Sequence, residues 1–396
     1  MPTLSERSRV FRPQPMFEIL AAAQELEQRG LPVIHLEIGD TKGFVNPHVV
    51  RELRTVTENP QLGYVASGGT PALRQAFARQ YAAEKGVAFT ERNVVVAPAN
   101  ALISQYLGVT CDPGDAVLIP DPGFPTYFLG AEFNGLRVIT YPLDPADGWN
   151  PDPDAVEELV RQNPDVRCLL VNSPSNPLGT VMEPGRLQAL LDLADRHGLH
   201  CLFDETYKNL VFDGDTPAPL HRPGVTYLYS LSKDAAAPGL RVGCAVSENT
   251  ELIGKLVDYS SLFFSCGPGL MQEAALAYVT RDDSAEFARG IREEITARVE
   301  KADKILAECE ELSYVRPSAA FYLFLDISST GLGAREFAYR LLREQQVCVC
   351  PGDSFGQQGA GCVRVTLAGD PVELEDGLRR LAAFVRSART EAEAHR

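Results

Sequence analysis

The sequence predicts an α/β protein: a large domain with a mainly parallel seven-stranded sheet between helices, and a smaller α/β domain beside it. Three observations predict this. Seven short apolar runs alternate with helical stretches between Asn93 and Val246. The runs are apolar throughout, as strands covered on both faces are, rather than alternating with polar residues. The chain has 396 residues, 45% of them hydrophobic, enough for one large domain and a smaller one.

Taken in order, the chain opens with a proline-containing arm, 12–15, and a helical pattern over 16–29. Gly30 ends it, and a short apolar strand over 33–38 runs into Gly39-Asp40. The segment Tyr64-Val65-Ala66-Ser67-Gly68-Gly69-Thr70-Pro71 follows. Thr70 suits an N-cap and Pro71 a first helical position, so a helix to about residue 83 is expected. The seven strands are read at 94–97, 116–119, 137–140, 167–171, 200–203, 226–229 and 242–246, with helices between them that include 101–108 and 187–196. An aromatic and Ser-rich stretch (259–269) leads to a long polar-faced helix over 285–311. A strand is read around Cys348-x-Cys350, a polar tail begins near 387, and the segment 315–322 is similar to a strand of the family that the site motifs below resemble. The expected division is an arm and part of the small domain (1–48), a large domain (49–280) and a C-terminal small domain (281–396).

Composition excludes some function classes. A net charge of −16 argues against nucleic acid as the main partner. No run of about 18 apolar residues suggests a membrane span. The segment 1–17 lacks the apolar stretch of a secretory leader. Nine cysteines lie scattered without a C-x-x-C pair, which reads as reduced core thiols in a cytoplasmic protein. The six histidines, His35, His48, His197, His200, His221 and His395, show no ligand spacing, so no metal is expected.

The chemistry gathers where parallel sheets bind ligands, at the carboxyl ends of strands. After the 226–229 strand comes Ser230-Leu231-Ser232-Lys233-Asp234, then Pro238-Gly239-Leu240-Arg241. An unprotonated lysine amine forms a Schiff base with an aldehyde. Ser230, Ser232 and Arg241 suit a dianionic phosphate. An aldehyde and a phosphate on one molecule point to pyridoxal 5′-phosphate. Asp204 ends the 200–203 strand. A carboxylate buried there requires a cation, and the pyridinium N–H of that cofactor is one. Tyr207 follows three residues on. Ala99 and Asn100 open a helix whose free backbone N–H groups suit a phosphate, while Pro98 donates none. Phe124, in Asp121-Pro122-Gly123-Phe124, supplies a π-face. The turn Asn176-Pro177-Leu178-Gly179 presents the Asn176 amide. In Gly361-Cys362-Val363-Arg364, the planar fork of Arg364 suits a carboxylate.

From about residue 36 to 368 these segments, in this order, resemble the class I/II aminotransferases of pyridoxal-phosphate fold type I. The resemblance implies a homodimer in which Tyr64 reaches the partner's cofactor phosphate. It also implies that Lys233 holds the cofactor, Asp204 its ring nitrogen, and Asn176 and Tyr207 its phenolate oxygen. Phe124 would stack on the ring, Arg364 grip the substrate α-carboxylate, and Gly39 let that carboxylate approach the backbone. Three segments depart from the family pattern: Gly39-Asp40-Thr41-Lys42-Gly43-Phe44, Ala97-Pro98-Ala99, and Ala319 where the family has glycine. The expected reaction is transamination of an L-amino acid to a keto acid. Two segments, Ser173-Pro174-Ser175-Asn176-Pro177-Leu178-Gly179-Thr180 and Ser230-Leu231-Ser232-Lys233-Asp234, are also similar to the 1-aminocyclopropane-1-carboxylate synthase branch. The alternative is therefore γ-elimination or substitution on S-adenosylmethionine, by a lyase or a C–C bond-forming enzyme. A non-catalytic cofactor sensor fused to a DNA-binding region is disfavoured, since no helix-turn-helix extension is visible. Arg12 is read as a pocket residue or, more simply, an exposed arm residue.

Overall fold

The computed structural model describes residues 3–60, 62–213 and 220–394; His395 lies outside them. Helix α1 (Pro15–Gln28) starts on a proline, whose missing N–H is not needed at that position. Strand β1 (Ile34–His35) is shorter than the apolar run suggests. The Leu36 N–H still donates to the Cys348 carbonyl, but the Glu37 carbonyl accepts from Arg364 rather than from a neighbouring strand. Helix α2 (Pro47–Glu58) is capped by Asn46, which accepts from the His48 and Val49 N–H groups. Helix α3 (Pro71–Lys85) begins after Thr70, whose side chain makes no cap bond, contrary to expectation; the Thr70 backbone N–H donates to Gln272 instead.

The large sheet is built from β2 (Val94–Ala97), β3 (Ala116–Asp121), β4 (Arg137–Asp144), β5 (Asn150–Pro151), β6 (Val166–Asn172), β7 (His200–Asp204), β8 (Val225–Ser230) and β9 (Gly243–Val246). Between them run α4 (Ala99–Thr110), α5 (Pro125–Phe133), α6 (Pro153–Gln162) and α7 (Pro184–Arg196). All seven expected strands are present. The eighth is β5, two residues that pair antiparallel with the end of β4 and carry too short a signal to read. The order is β2-β9-β8-β7-β6-β3-β4-β5, with β4, β3, β6, β7 and β8 mutually parallel and β9 antiparallel to both its neighbours. Side chains alternate between two cores. Val94, Val96, Leu118, Val171, Phe203 and Tyr227 enter one, and Val95, Val117, Ile119, Leu170, Leu202 and Leu228 the other. Both faces are covered over β2, β3, β6, β7, β8 and β9, which is why those runs read as apolar, while β4, near the sheet edge, keeps exposed residues.

Helix α8 (Thr250–Phe264) absorbs the first half of the aromatic stretch; α9 (Gly269–Val279) and α10 (Ser284–Leu306) follow. The strand expected at 315–322 begins only at its last residue, as β10 (Tyr322–Asp326), because Ala320 adopts a positive φ of 58° that no strand accommodates. Helix α11 (Ala334–Gln345) leads to β11 (Val347–Cys348), β12 (Cys350–Pro351) and β13 (Cys362–Thr366), and α12 (Pro371–Ala394) takes in the polar tail. The Cys348-x-Cys350 run is thus two strands in different sheets: β11 lies parallel to β1, while β12 and β10 flank β13 antiparallel. A third apolar cluster joins Ile19 and Ala23 of α1 to Ile295, Val299, Phe337, Leu341, Leu381 and Val385, so both ends of the chain share one core. Among the described residues no helix is long and apolar enough to cross a membrane.

Candidate active site

A cavity of about 190 Å³ opens at the carboxyl ends of β7 and β8 and the start of α4. Its wall carries Ala99, Asn100, Phe124, Asn176, Asp204, Tyr207, Ser230, Ser232, Lys233 and Arg241, which the sequence singled out from six separate segments. Gly39 and Arg364 adjoin it through bonds to its wall, and Tyr64 lies elsewhere.

The Lys233 amine donates to the Gly39 carbonyl at 2.9 Å, and it sits 5.8 Å from the centre of the Tyr207 ring and 5.6 Å from that of Phe321. Asp204, the last residue of β7, is buried. One carboxylate oxygen accepts from the Tyr127 hydroxyl (2.8 Å) and the other from the Thr206 backbone N–H (3.0 Å). Burial pushes the Asp204 carboxyl above its ordinary range, against the pull of those hydrogen bonds. A cation at Asp204 would therefore relieve a real desolvation cost. The Tyr207 and Tyr322 hydroxyls share a 2.8 Å hydrogen bond, and burial holds the Tyr207 phenol well above its ordinary pKa, so it stays a donor.

At the other end of the cavity, the Ser230 hydroxyl donates to that of Ser232 (2.9 Å). Arg241 adopts the left-handed conformation (φ 57°), uncommon for a side chain of this size, and donates to the Pro238 carbonyl. The Ala99 and Asn100 N–H groups lie in the first turn of α4, where no intrahelical acceptor exists. Hydroxyls, a guanidinium and a helix N-terminus thus line this end of the cavity, groups suited to cradle a phosphate.

Arg364 is 1% exposed. It donates to the Asn176 side-chain oxygen (2.8 Å) and the Glu37 carbonyl (2.7 Å), and its guanidinium lies 4.4 Å from the Tyr322 ring centre and 4.9 Å from that of Phe355. Its Nε is buried with no partner, a donor without an acceptor. With its oxygen taken by Arg364, Asn176 has its NH₂ left to donate. The close approach at Gly39 is made by Tyr322: a Cβ there would fall 2.1 Å from the phenol oxygen.

Tyr64 is 92% exposed and contributes nothing to this chain's own cavity. Arg12 is no pocket residue; it pairs with Glu132 at 2.9 Å on the exposed side of α5. The sequence reading missed Tyr127, Thr206 and Tyr322. Tyr127 stands one helical turn after Phe124, in a motif already singled out, but its bond to Asp204 joins residues distant in the chain. Behind the cavity, Glu205 points away from Asp204 into a buried network with Lys85 (2.8 Å) and Lys208 (3.1 Å).

An amine able to form a Schiff base, a buried carboxylate, phenol and amide donors and a phosphate cradle define a pyridoxal-phosphate enzyme, and the donor set fits that cofactor. Residues 32–381 match the family described as aminotransferase class I and II. The chain is 31% identical to the probable aspartate/prephenate aminotransferase of Thermus aquaticus, over 96% of this chain and 98% of that one. It is 30% identical to the arginine–pyruvate transaminase AruH of Pseudomonas aeruginosa, over 90% of each. The solved aspartate aminotransferase of Thermus thermophilus with maleate superposes with a TM-score of 0.91 at 29% identity, covering 97% of this chain and all of that one. The chain belongs to the class I and II aminotransferase family and is a pyridoxal-phosphate-dependent aminotransferase.

Proposed function

We propose that Lys233 holds the cofactor and moves the substrate's α-proton, that Asp204 partners the cofactor's ring nitrogen, and that Arg364 grips the substrate α-carboxylate. The observation that carries this reading is the Lys233 amine and the buried Asp204 on one cavity wall, with the unpaired Nε of Arg364 behind Asn176. Bound pyridoxal phosphate supplies an electron sink that makes loss of the α-proton feasible. With the cofactor bound, the Lys233 amine would remove the proton from the substrate α-carbon as general base and return one as general acid. Arg364 orients the substrate through its carboxylate. Tyr127 and the Thr206 N–H hold the Asp204 carboxylate in one orientation. Tyr207 and the Asn176 NH₂ would donate to the cofactor's phenolate oxygen, and Phe124 would offer its face to the ring. Ser230, Ser232, Arg241 and the Ala99 and Asn100 N–H groups would hold the phosphate.

The exposure of Tyr64, together with that of Leu62, Leu262 and Phe263, supports a homodimer in which Tyr64 serves the partner's site. The shared core of the two chain ends supports a smaller domain built from 1–48 and 281–396 beside one over 49–280. Nine free cysteines support a cytoplasmic setting. γ-Chemistry on S-adenosylmethionine rests on two local motifs alone, and the relatives above are named as transaminases.

The test is a product assay on cofactor-loaded protein, with a panel of L-amino acids plus a keto-acid acceptor and, separately, S-adenosylmethionine, read by mass spectrometry. A new keto acid with the cofactor recovered in its amine form is the expected result. Methylthioadenosine without that amine form would replace this reading with the γ-chemistry.

A further inference from the structure

The histidines show no ligand spacing along the chain, but the pairing of β1 with β11 makes one across strands. In that parallel register His35 lies opposite Cys348. Glu37, two residues beyond His35 and so on the same side of the extended chain, completes a group whose ligand atoms all lie within 4.8 Å of one another. His35 Nδ1 is 2.9 Å from one Glu37 oxygen, and His35 Nε2 is 3.3 Å from a carboxylate oxygen of Glu27 on α1. Glu37 is 1% exposed, and its other carboxylate oxygen has no hydrogen-bond partner. An imidazole–carboxylate pair explains one oxygen of Glu37; the second is buried and meets only the weakly donating Cys348 thiol, outside ordinary hydrogen-bond geometry.

We infer that His35, Glu37 and Cys348 form a binding site for one divalent cation of the zinc class. Nitrogen, oxygen and sulfur donors in one group suit a borderline-soft ion, and the thiol selects against magnesium and calcium. Tetrahedral coordination at about 2.0–2.3 Å needs ligand atoms nearer than 4.8 Å, and side-chain movements of about 1 Å bring them in. Three protein ligands leave the fourth position to water. Glu27 stands where a supporting carboxylate belongs, on the ring nitrogen that the metal does not use, so it orients the imidazole. Access is through His35 and Glu27, whose side chains are 33% and 45% exposed; Cys348 forms the buried floor. The ligands shed their protons on binding. The site joins β1 to β11 next to the reaction centre, because the carbonyl of Glu37 itself accepts from Arg364.

The test uses the full, cofactor-loaded chain, stripped with a chelator and dialysed against Zn²⁺, with bound metal counted by mass spectrometry. Co²⁺ in its place reports geometry through the visible ligand-field bands of a tetrahedral site. Wild type should take up about one ion per chain. Cys348→Ser and His35→Gln should each bind at least about tenfold more weakly, and Glu27→Gln about 10–100-fold more weakly. Cys266→Ser, which alters a cysteine outside the group, should bind as wild type does. His35→Gln removes the partner of the buried Glu37 carboxylate and should lower the melting temperature, so a single cooperative transition and an unchanged far-UV spectrum in chelator verify its fold. Failure of wild type to bind, or binding undiminished in His35→Gln, would overturn the inference. Metal count does not depend on turnover, so that outcome leaves the aminotransferase reading untouched.

Discussion

Gly39→Ala isolates the contact that shapes the substrate end of the site. The added Cβ would lie 2.1 Å from the Tyr322 oxygen and 2.9 Å from two of its ring carbons. A relaxed contact needs roughly 3.5 Å, so the phenol must retreat by about 1.5 Å. That movement breaks the Tyr207–Tyr322 hydrogen bond, worth about 0.5–1.5 kcal/mol, and adds an overpacking cost of about 1–3 kcal/mol. The expected loss of stability is therefore about 1.5–4.5 kcal/mol. Because the Tyr322 ring also packs on Arg364, KM for the amino acid should rise as well. Denaturant unfolding and steady-state kinetics measure the two effects. Tyr322→Phe removes the nearest atom, so the double variant should cost less than the sum of the singles by about 1 kcal/mol or more. Gly254→Ala is the control: it is an exposed position of α8 with nothing within 4 Å of the added carbon, and should be neutral or slightly stabilising. A Gly39→Ala protein with wild-type stability and KM, or strict additivity with Tyr322→Phe, would refute the reasoning.

Lys233→Ala should abolish turnover and the Schiff-base absorbance of the bound cofactor; full activity would remove Lys233 from the mechanism. Arg364→Lys keeps the charge but loses the planar fork and its bonds to Asn176 and Glu37, so KM should rise by at least about tenfold with a smaller change in kcat, seen in steady-state kinetics. Tyr127→Phe deletes a hydrogen bond to a buried carboxylate, worth about 1.5–3 kcal/mol, so kcat should fall by about tenfold or more, and a spectral pH titration of the cofactor should shift. Glu205 is buried, which raises its pKa, yet Lys208 and Lys85 outweigh this and hold it below its ordinary 4.5. Its contribution to stability is thus present above pH 4.5 and lost as pH falls through the lower folded-state value. Glu205→Gln should lower neutral-pH stability by about 3–5 kcal/mol and flatten that acid dependence in unfolding measured across pH.

Much of the site was legible because fold type and chemistry both leave local marks. Continuous apolar runs identify strands covered on two faces, and strand ends identify where to look, so Asp204, Ser230 and Lys233 stand out without a structure. The misses are of another kind. Tyr322 ends the 315–322 segment, which resembles a strand of the family but, with Ala320 in a positive φ, only begins one there. Tyr127 reads as one more aromatic of α5 until its hydroxyl is found on Asp204.

By itself the sequence determined the alternation of strands and helices, the residue types able to hold an aldehyde, a phosphate and a carboxylate, and the family they resemble. These are short-range properties, carried by runs of a few residues. The tertiary structure decided which distant groups meet. It set Asn176 on Arg364, Tyr322 into the space beside Gly39, and His35 opposite Cys348. The reason is that strand register and crossover packing, not chain spacing, bring such side chains within bonding distance, and both depend on the whole core.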